Sequence, residues 1–229
     1  MKDGAISISY APCSVMECVL ELKMRILRSV EATLVPTRAI ESFRAIGINA
    51  AALAVAMGAY WYCGGVRITG RPTNLVVGTA AGSVVIAIAG LTFLVGRDRN
   101  MLGRPRLSLL LVAALLPMAL LAWKIYFSVQ FPHGLDRWSD RGGYRCLGLA
   151  LCMGLLPLLT ALYSRRGTDP SHPETAGMAV GVSVGLGVAV LVDLWCPVAY
   201  LPHLLVGHVM PIVVLALLGL AVGWKLLRA

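Results

Sequence analysis

Apolar residues run along this chain in long blocks separated by short polar joints. Six blocks stand out, at roughly 46–63, 74–96, 107–129, 146–163, 175–195 and 203–224. Each holds about 18–25 residues, and at roughly 1.5 Å per residue a helix of that length crosses a hydrocarbon core of about 30 Å. The pattern predicts an all-α, polytopic membrane protein with six transmembrane helices. The joints contain Gly70-Arg71-Pro72, the basic stretch 97–106, the long loop 132–145 and the stretch 165–174. The last joint, 196–202, is so tight that the fifth and sixth helices are expected to be antiparallel neighbours.

The residues ahead of the first block follow a different pattern. Ser14 and Glu17 have the spacing of a capping box, in which a Ser side chain and a Glu three residues later satisfy the first amides of a helix. Val15, Val19, Leu22, Ile26 and Val30 then recur at helical spacing, with Glu17, Glu21, Lys23, Arg25 and Arg28 between them. Pro36 should end that helix. Two domains are therefore expected: an amino-terminal segment, 1–45, with an amphipathic helix over 15–34, and a six-helix transmembrane domain, 46–229. The apolar face has three possible fates. It can lie on a lipid surface, drawn by Lys and Arg to anionic headgroups. It can pack on loops of the same chain, or it can fill a groove in a partner protein. Val15, Val19, Leu22 and Ile26, with Arg25 and Arg28 beside them, are the candidate partner-binding residues.

Composition strengthens the membrane reading. The chain is 58% hydrophobic and only 14% charged, with mean hydropathy +0.79. A water-facing domain carries about 25% charged residues. The formal net charge of +9 would raise nucleic acid binding in a soluble protein. Here the basic residues sit mainly in the joints, where Lys and Arg set topology, so direct contact with nucleic acid is not expected. Fourteen Lys and Arg fall on the side of the amino-terminal segment, the second and fourth loops and the tail; six fall on the other. Both termini are thus expected in the cytoplasm. Residues 1–45 show no short apolar core with a small-residue cleavage site, so no secretory signal is expected.

That topology gathers reactive side chains near the outer face. Cys63 ends the first span, Cys146 opens the fourth, Cys196 ends the fifth, and His203 and His208 begin the sixth. Asp193 lies one turn inside Cys196, and Lys124 lies beside Trp123 in the third span. Ionisable residues inside a membrane are costly and usually paired, so Asp193 is expected to pair with Lys124 or with His208. Cys196, His203 and His208 can ligate a transition metal, with Cys146 or Asp193 as a fourth ligand. A disulfide between Cys146 and Cys196 is an alternative, and buried thiols with hydrogen-bonded imidazoles are the plain one. Cys13 and Cys18 have no nearby His and poor spacing for zinc. The chain has no GxSxG, HExxH or phosphate-binding Gly loop. It is not expected to be an enzyme, and no organic cofactor is implied.

The order of several short motifs resembles the NrsF family of membrane anti-sigma factors, the negative regulators of sigma F. Arg145-Cys146-Leu147 opens the fourth span, with Leu155-Leu156-Pro157 deeper in it. Arg165-Arg166-Gly167-Thr168-Asp169-Pro170, His172-Pro173 and Ala176-Gly177 follow. Asp193-Leu194-Trp195-Cys196-Pro197 closes the fifth span, and the tail carries Leu217-Leu218-Gly219 and Leu226-Leu227-Arg228. The resemblance implies a protein of the bacterial inner membrane whose cytoplasmic segment holds an extracytoplasmic-function sigma factor away from RNA polymerase. It implies that Cys146 and Cys196 are the sensing cysteines, and that metal or oxidative stress at them loosens the hold. Besides the sigma factor, membrane lipid is the expected partner. The alternative is a small metal-handling transporter or membrane metal-binding protein built on Asp193, Cys196, His203 and His208.

Overall fold

A computed structural model describes residues 19–26, 36–66, 72–95, 105–130, 143–166, 171–196 and 200–228. Every regular element among them is helical. A short helix, α1, covers 19–26. It is followed by α2 (Pro36–Tyr62), α3 (Thr73–Val95), α4 (Arg106–Gln130), α5 (Tyr144–Tyr163) and α6 (Pro173–Trp195). The last helix, α7, runs Leu201–Leu226 and contains a π-helical turn at Leu205–Val209. The helices α2 to α7 are each long and apolar enough to cross a membrane. The protein is an all-α polytopic membrane protein with six such helices among its described residues.

The apolar blocks and the helices agree to within a few residues except at the start. The helix of the first span, α2, begins at Pro36, ten residues before the first apolar block. Hydropathy marks only the part of a helix that meets lipid, and a polar stretch without a breaker continues the helix beyond it. Pro36 is the first residue of α2, where a missing amide costs nothing because the first four amides have no helical acceptor.

The chain divides into two compact units, one up to Gly47 and one from Ile48 onward. In the first, Val19, Leu22 and Ile26 are exposed, and Arg25 pairs with Glu21 one turn away at 3.4 Å. Val15, Arg28 and the expected capping box at Ser14 lie outside the described residues.

In the second unit α6 is the central helix. Of its apolar window 72% is buried inside the protein, against 17–39% for the other spans. It packs most extensively on α7, then on α3, α5 and α4. The α6–α7 contact is backbone on backbone. A Cβ at Gly177 would fall on the Gly219 carbonyl, and one at Gly223 would come within 2.8 Å of the Gly177 Cα. Close approach of this kind lets dispersion and main-chain contacts hold helices where lipid removes the hydrophobic drive. Gly181 and Gly185 belong to this seam, as their sequence pattern suggests. Gly187 does not: nothing lies within 4 Å of the Cβ position there. Gly78, Gly82 and Gly90 on α3 meet side chains instead, the first two receiving the rings of Phe127 and Trp123.

Candidate functional site

At the end of the second unit formed by the start of α5, the end of α6 and the start of α7, eight polar or thiol side chains come together in a region closed to solvent. Five are the buried polar or charged residues Ser83, Lys124, Asp193, His203 and His208; two are the buried thiols Cys146 and Cys196. Tyr60 packs beside the thiols in the same cluster.

The charged half of the site centres on Asp193. Its Oδ1 accepts from the Lys124 ammonium and lies 2.8 Å from His208 Nδ1. Its Oδ2 accepts from the Ser83 hydroxyl at 2.5 Å. Lys124 Nζ is also 3.1 Å from His208 Nδ1. Sequence reasoning offered Lys124 or His208 as the partner of Asp193, and the structure brings both to it. Ser83 was missed. A single Ser in an apolar span carries no signal of its own, because such a hydroxyl ordinarily bonds a carbonyl one turn back, as Ser183 does with Ala179.

The thiol half centres on His203. Its Nε2 is 3.4 Å from Cys146 Sγ and 3.0 Å from Cys196 Sγ. Cys146, Cys196, His203 and His208 are all buried, and one ligand atom from each lies within 4.8 Å of the others. Cys146 thus joins the Cys196–His203–His208 set directly, whereas Asp193 reaches it through His208. Cys63 stands outside this group of four; its carbonyl accepts from the Trp195 indole at 2.9 Å.

Two local features create this convergence. On a regular α-helix, residues five apart point about 140° away from each other. His203 and His208 share a face because Leu205–Val209 is wound as a π turn, which brings the fifth residue back under the first. Their ring centroids are 5.7 Å apart. The second feature is a pair of glycines. Gly143, with φ of 74°, adopts the left-handed conformation that glycine takes without penalty. A Cβ there would stand 2.9 Å from both Gly207 N and the His203 carbonyl, and a Cβ at Gly207 would stand 2.9 Å from that of Cys146. The start of α5 can therefore settle onto the π turn and deliver Cys146 to His203. Gly207→Val is expected to push α5 away, so that a membrane-permeant maleimide labels Cys146 several-fold faster than in the parent. The peptide carrying Cys146 would be quantified by mass spectrometry; unchanged labelling would show that the glycine contact does not position this thiol.

Fold and site together define a polytopic helical membrane protein with a closed cluster of thiols, imidazoles and an ion-paired carboxylate. The family model "NrsF: Negative regulator of sigma F" matches residues 29–228. The chain belongs to that family, and the resemblance read from its motifs holds over most of its length. No curated protein and no solved structure matches it. As a member of the NrsF family, it is a negative regulator of a sigma factor, with the sigma factor as its partner.

Proposed function

We propose that this protein holds an extracytoplasmic-function sigma factor at the bacterial inner membrane and releases it when the chemistry of Cys146 and Cys196 changes. The observation that carries the reading is the placement of these two thiols. They lie fifty residues apart in sequence, yet both contact one imidazole in a region closed to water. Metal ions and oxidants are the stresses to which a thiol pair responds. The distribution of Lys and Arg, fourteen against six, supports a cytoplasmic location for both termini and an outer location for the thiols.

The amino-terminal segment is the part that holds the sigma factor. Val19, Leu22 and Ile26 present an exposed apolar stripe, with Arg25 beside it, suited to a groove in a partner. Val15 and Arg28 extend the stripe in the sequence. The family match covers residues 29–228, so the stripe over 19–26 lies ahead of the matched region. Lipid contacts the spans and the basic joints. No catalytic step is needed: release is a shift between two arrangements of the spans, one favoured by the sigma factor and the other by the stressed thiols.

The test is a reporter driven by the sigma factor that this protein regulates. Removing residues 1–45 is expected to give full, stress-independent transcription, and the shortened protein should no longer co-purify the sigma factor in mild detergent. If the sigma factor still co-purifies, or the reporter stays silent with the protein correctly inserted, the segment is not the holding element.

A further inference from the structure

We propose that Cys146, Cys196, His203 and His208 form a closed four-ligand site for a divalent borderline metal ion of the zinc type, with Asp193 as the positioning residue for His208. The inference deepens the reading above, sharing its two thiols and adding the ligand and the two histidines.

Geometry argues first. A tetrahedral zinc ion with bonds of roughly 2.3 Å to sulfur and 2.0–2.1 Å to nitrogen sets neighbouring ligand atoms about 3.3–3.8 Å apart. Two edges of such a tetrahedron are present, from His203 Nε2 to the two sulfurs at 3.4 and 3.0 Å. The remaining ligand atoms lie within 4.8 Å of one another, so a contraction of about 1 Å closes the set.

The second argument is an orphan atom. His208 Nε2 is fully buried and has no hydrogen-bond partner among the described residues. A buried polar atom without a partner is costly, and native structures avoid it unless something unseen satisfies it. The other ring nitrogen is 2.8 Å from the Asp193 carboxylate. A proton donated from Nδ1 to that carboxylate would leave the lone pair on the orphaned Nε2, free for a metal. A carboxylate behind a ligating histidine is the usual way proteins fix tautomer and ring orientation at a metal.

The third argument is charge. On binding, the two thiols give up their protons, and two thiolates neutralise a divalent ion. Lys124 neutralises Asp193. The loaded site then carries no net charge in a region where net charge is expensive. A monovalent ion would leave one negative charge uncompensated. Two sulfurs and two imidazole nitrogens in a closed shell match zinc chemistry.

The ligands come from α5, the end of α6 and α7, so the ion clamps three helices at one end of the central helix. Losing it, or exchanging it for an ion that prefers fewer ligands, frees α5 from α7. That gives the thiols a physical means of changing how the spans pack.

The experiment uses the full-length protein purified in mild detergent, with zinc as the probe and elemental analysis as the readout. About one zinc per chain is expected, and less than a fifth of that in Cys146→Ser and His208→Ala. His208→Cys, which restores a ligand, should recover binding and separates ligand loss from misfolding. Asp193→Asn should weaken zinc affinity by about 10–100-fold. Cobalt substituted for zinc should show the visible absorption of a four-coordinate ion with thiolate charge transfer. A folded protein that takes up neither ion, or that carries a Cys146–Cys196 disulfide when isolated, overturns the proposal. Sigma-factor retention is scored on the same preparation. Retention without metal sinks the metal site alone, whereas metal without retention sinks the sigma-factor reading alone.

Discussion

Asp193→Ala is expected to be the most damaging single substitution in the second unit. It removes the acceptor shared by Lys124, Ser83 and His208 and leaves the Lys124 ammonium buried with 2% of its side chain exposed. Breaking a buried ion pair from one side costs about 3–5 kcal/mol, because the remaining charge has neither water nor partner. The variant should therefore show a sharply lower unfolding midpoint in detergent and a lower membrane yield. Replacing both partners, with Lys124→Met and Asp193→Leu together, should recover most of that stability, since two apolar side chains of similar length need no compensation. A single variant that melts like the parent would mean that Asp193 is not the anchor of the buried network. Recovery of stability in the double variant without recovery of zinc binding would separate the structural duty of the pair from its duty toward His208.

The second large effect is expected at the α6–α7 seam. In Gly181→Leu the new Cβ would fall on the Leu215 carbonyl oxygen and within 2.8 Å of the Ala216 Cα. Both are backbone atoms, so no side-chain rotation relieves the overlap and the helices must separate. Overpacking of a well-filled interior costs about 1–3 kcal/mol even where side chains can adjust, and this contact has no such freedom. A strongly reduced unfolding midpoint and loss of the folded peak on size exclusion should result. Gly187→Leu is the matched control: it lies on the same helix, nothing is within 4 Å of its Cβ, and it should behave as the parent. Equal behaviour of the two variants would contradict a glycine-dependent seam. On the proposed mechanism α6, which runs from Pro173 to the thiol site at Cys196, would carry changes at the thiols along this seam to the far side. Graded substitutions such as Gly181→Ala, read by the sigma-factor reporter, would measure that coupling.

The six spans were legible in the sequence because lipid imposes a one-dimensional requirement: about 20 consecutive apolar residues in a helix. The tight joint after Cys196 likewise announced the α6–α7 pairing, since a short connection leaves antiparallel packing as the only arrangement. The cost of intramembrane charge singled out Asp193 and Lys124, and the motif order named the family. The sequence alone thus determined the class of protein, the number of spans, the helix neighbours at the carboxyl end and the residue types able to carry chemistry.

Tertiary structure decided which of those residues meet. A regular helix would turn His203 and His208 away from each other; the π turn at Leu205–Val209 aligns them, and hydropathy does not register winding. Cys146 rather than Asp193 joins the thiol–imidazole group because Gly143 and Gly207 let two backbones touch, a contact between residues more than sixty positions apart. Asp193 serves both Lys124 and His208 because the two reach one oxygen from different helices. Ser83 entered the site because α3 packs on α6 with that hydroxyl on the Asp193 carboxylate, whereas Cys63 lies past the end of α2 with its carbonyl on the Trp195 indole. Residue types and spacing along a span follow from local chemistry. The azimuth and approach distance of each helix follow from packing among all of them, and that packing brings two cysteines, two histidines and an ion pair into one closed site.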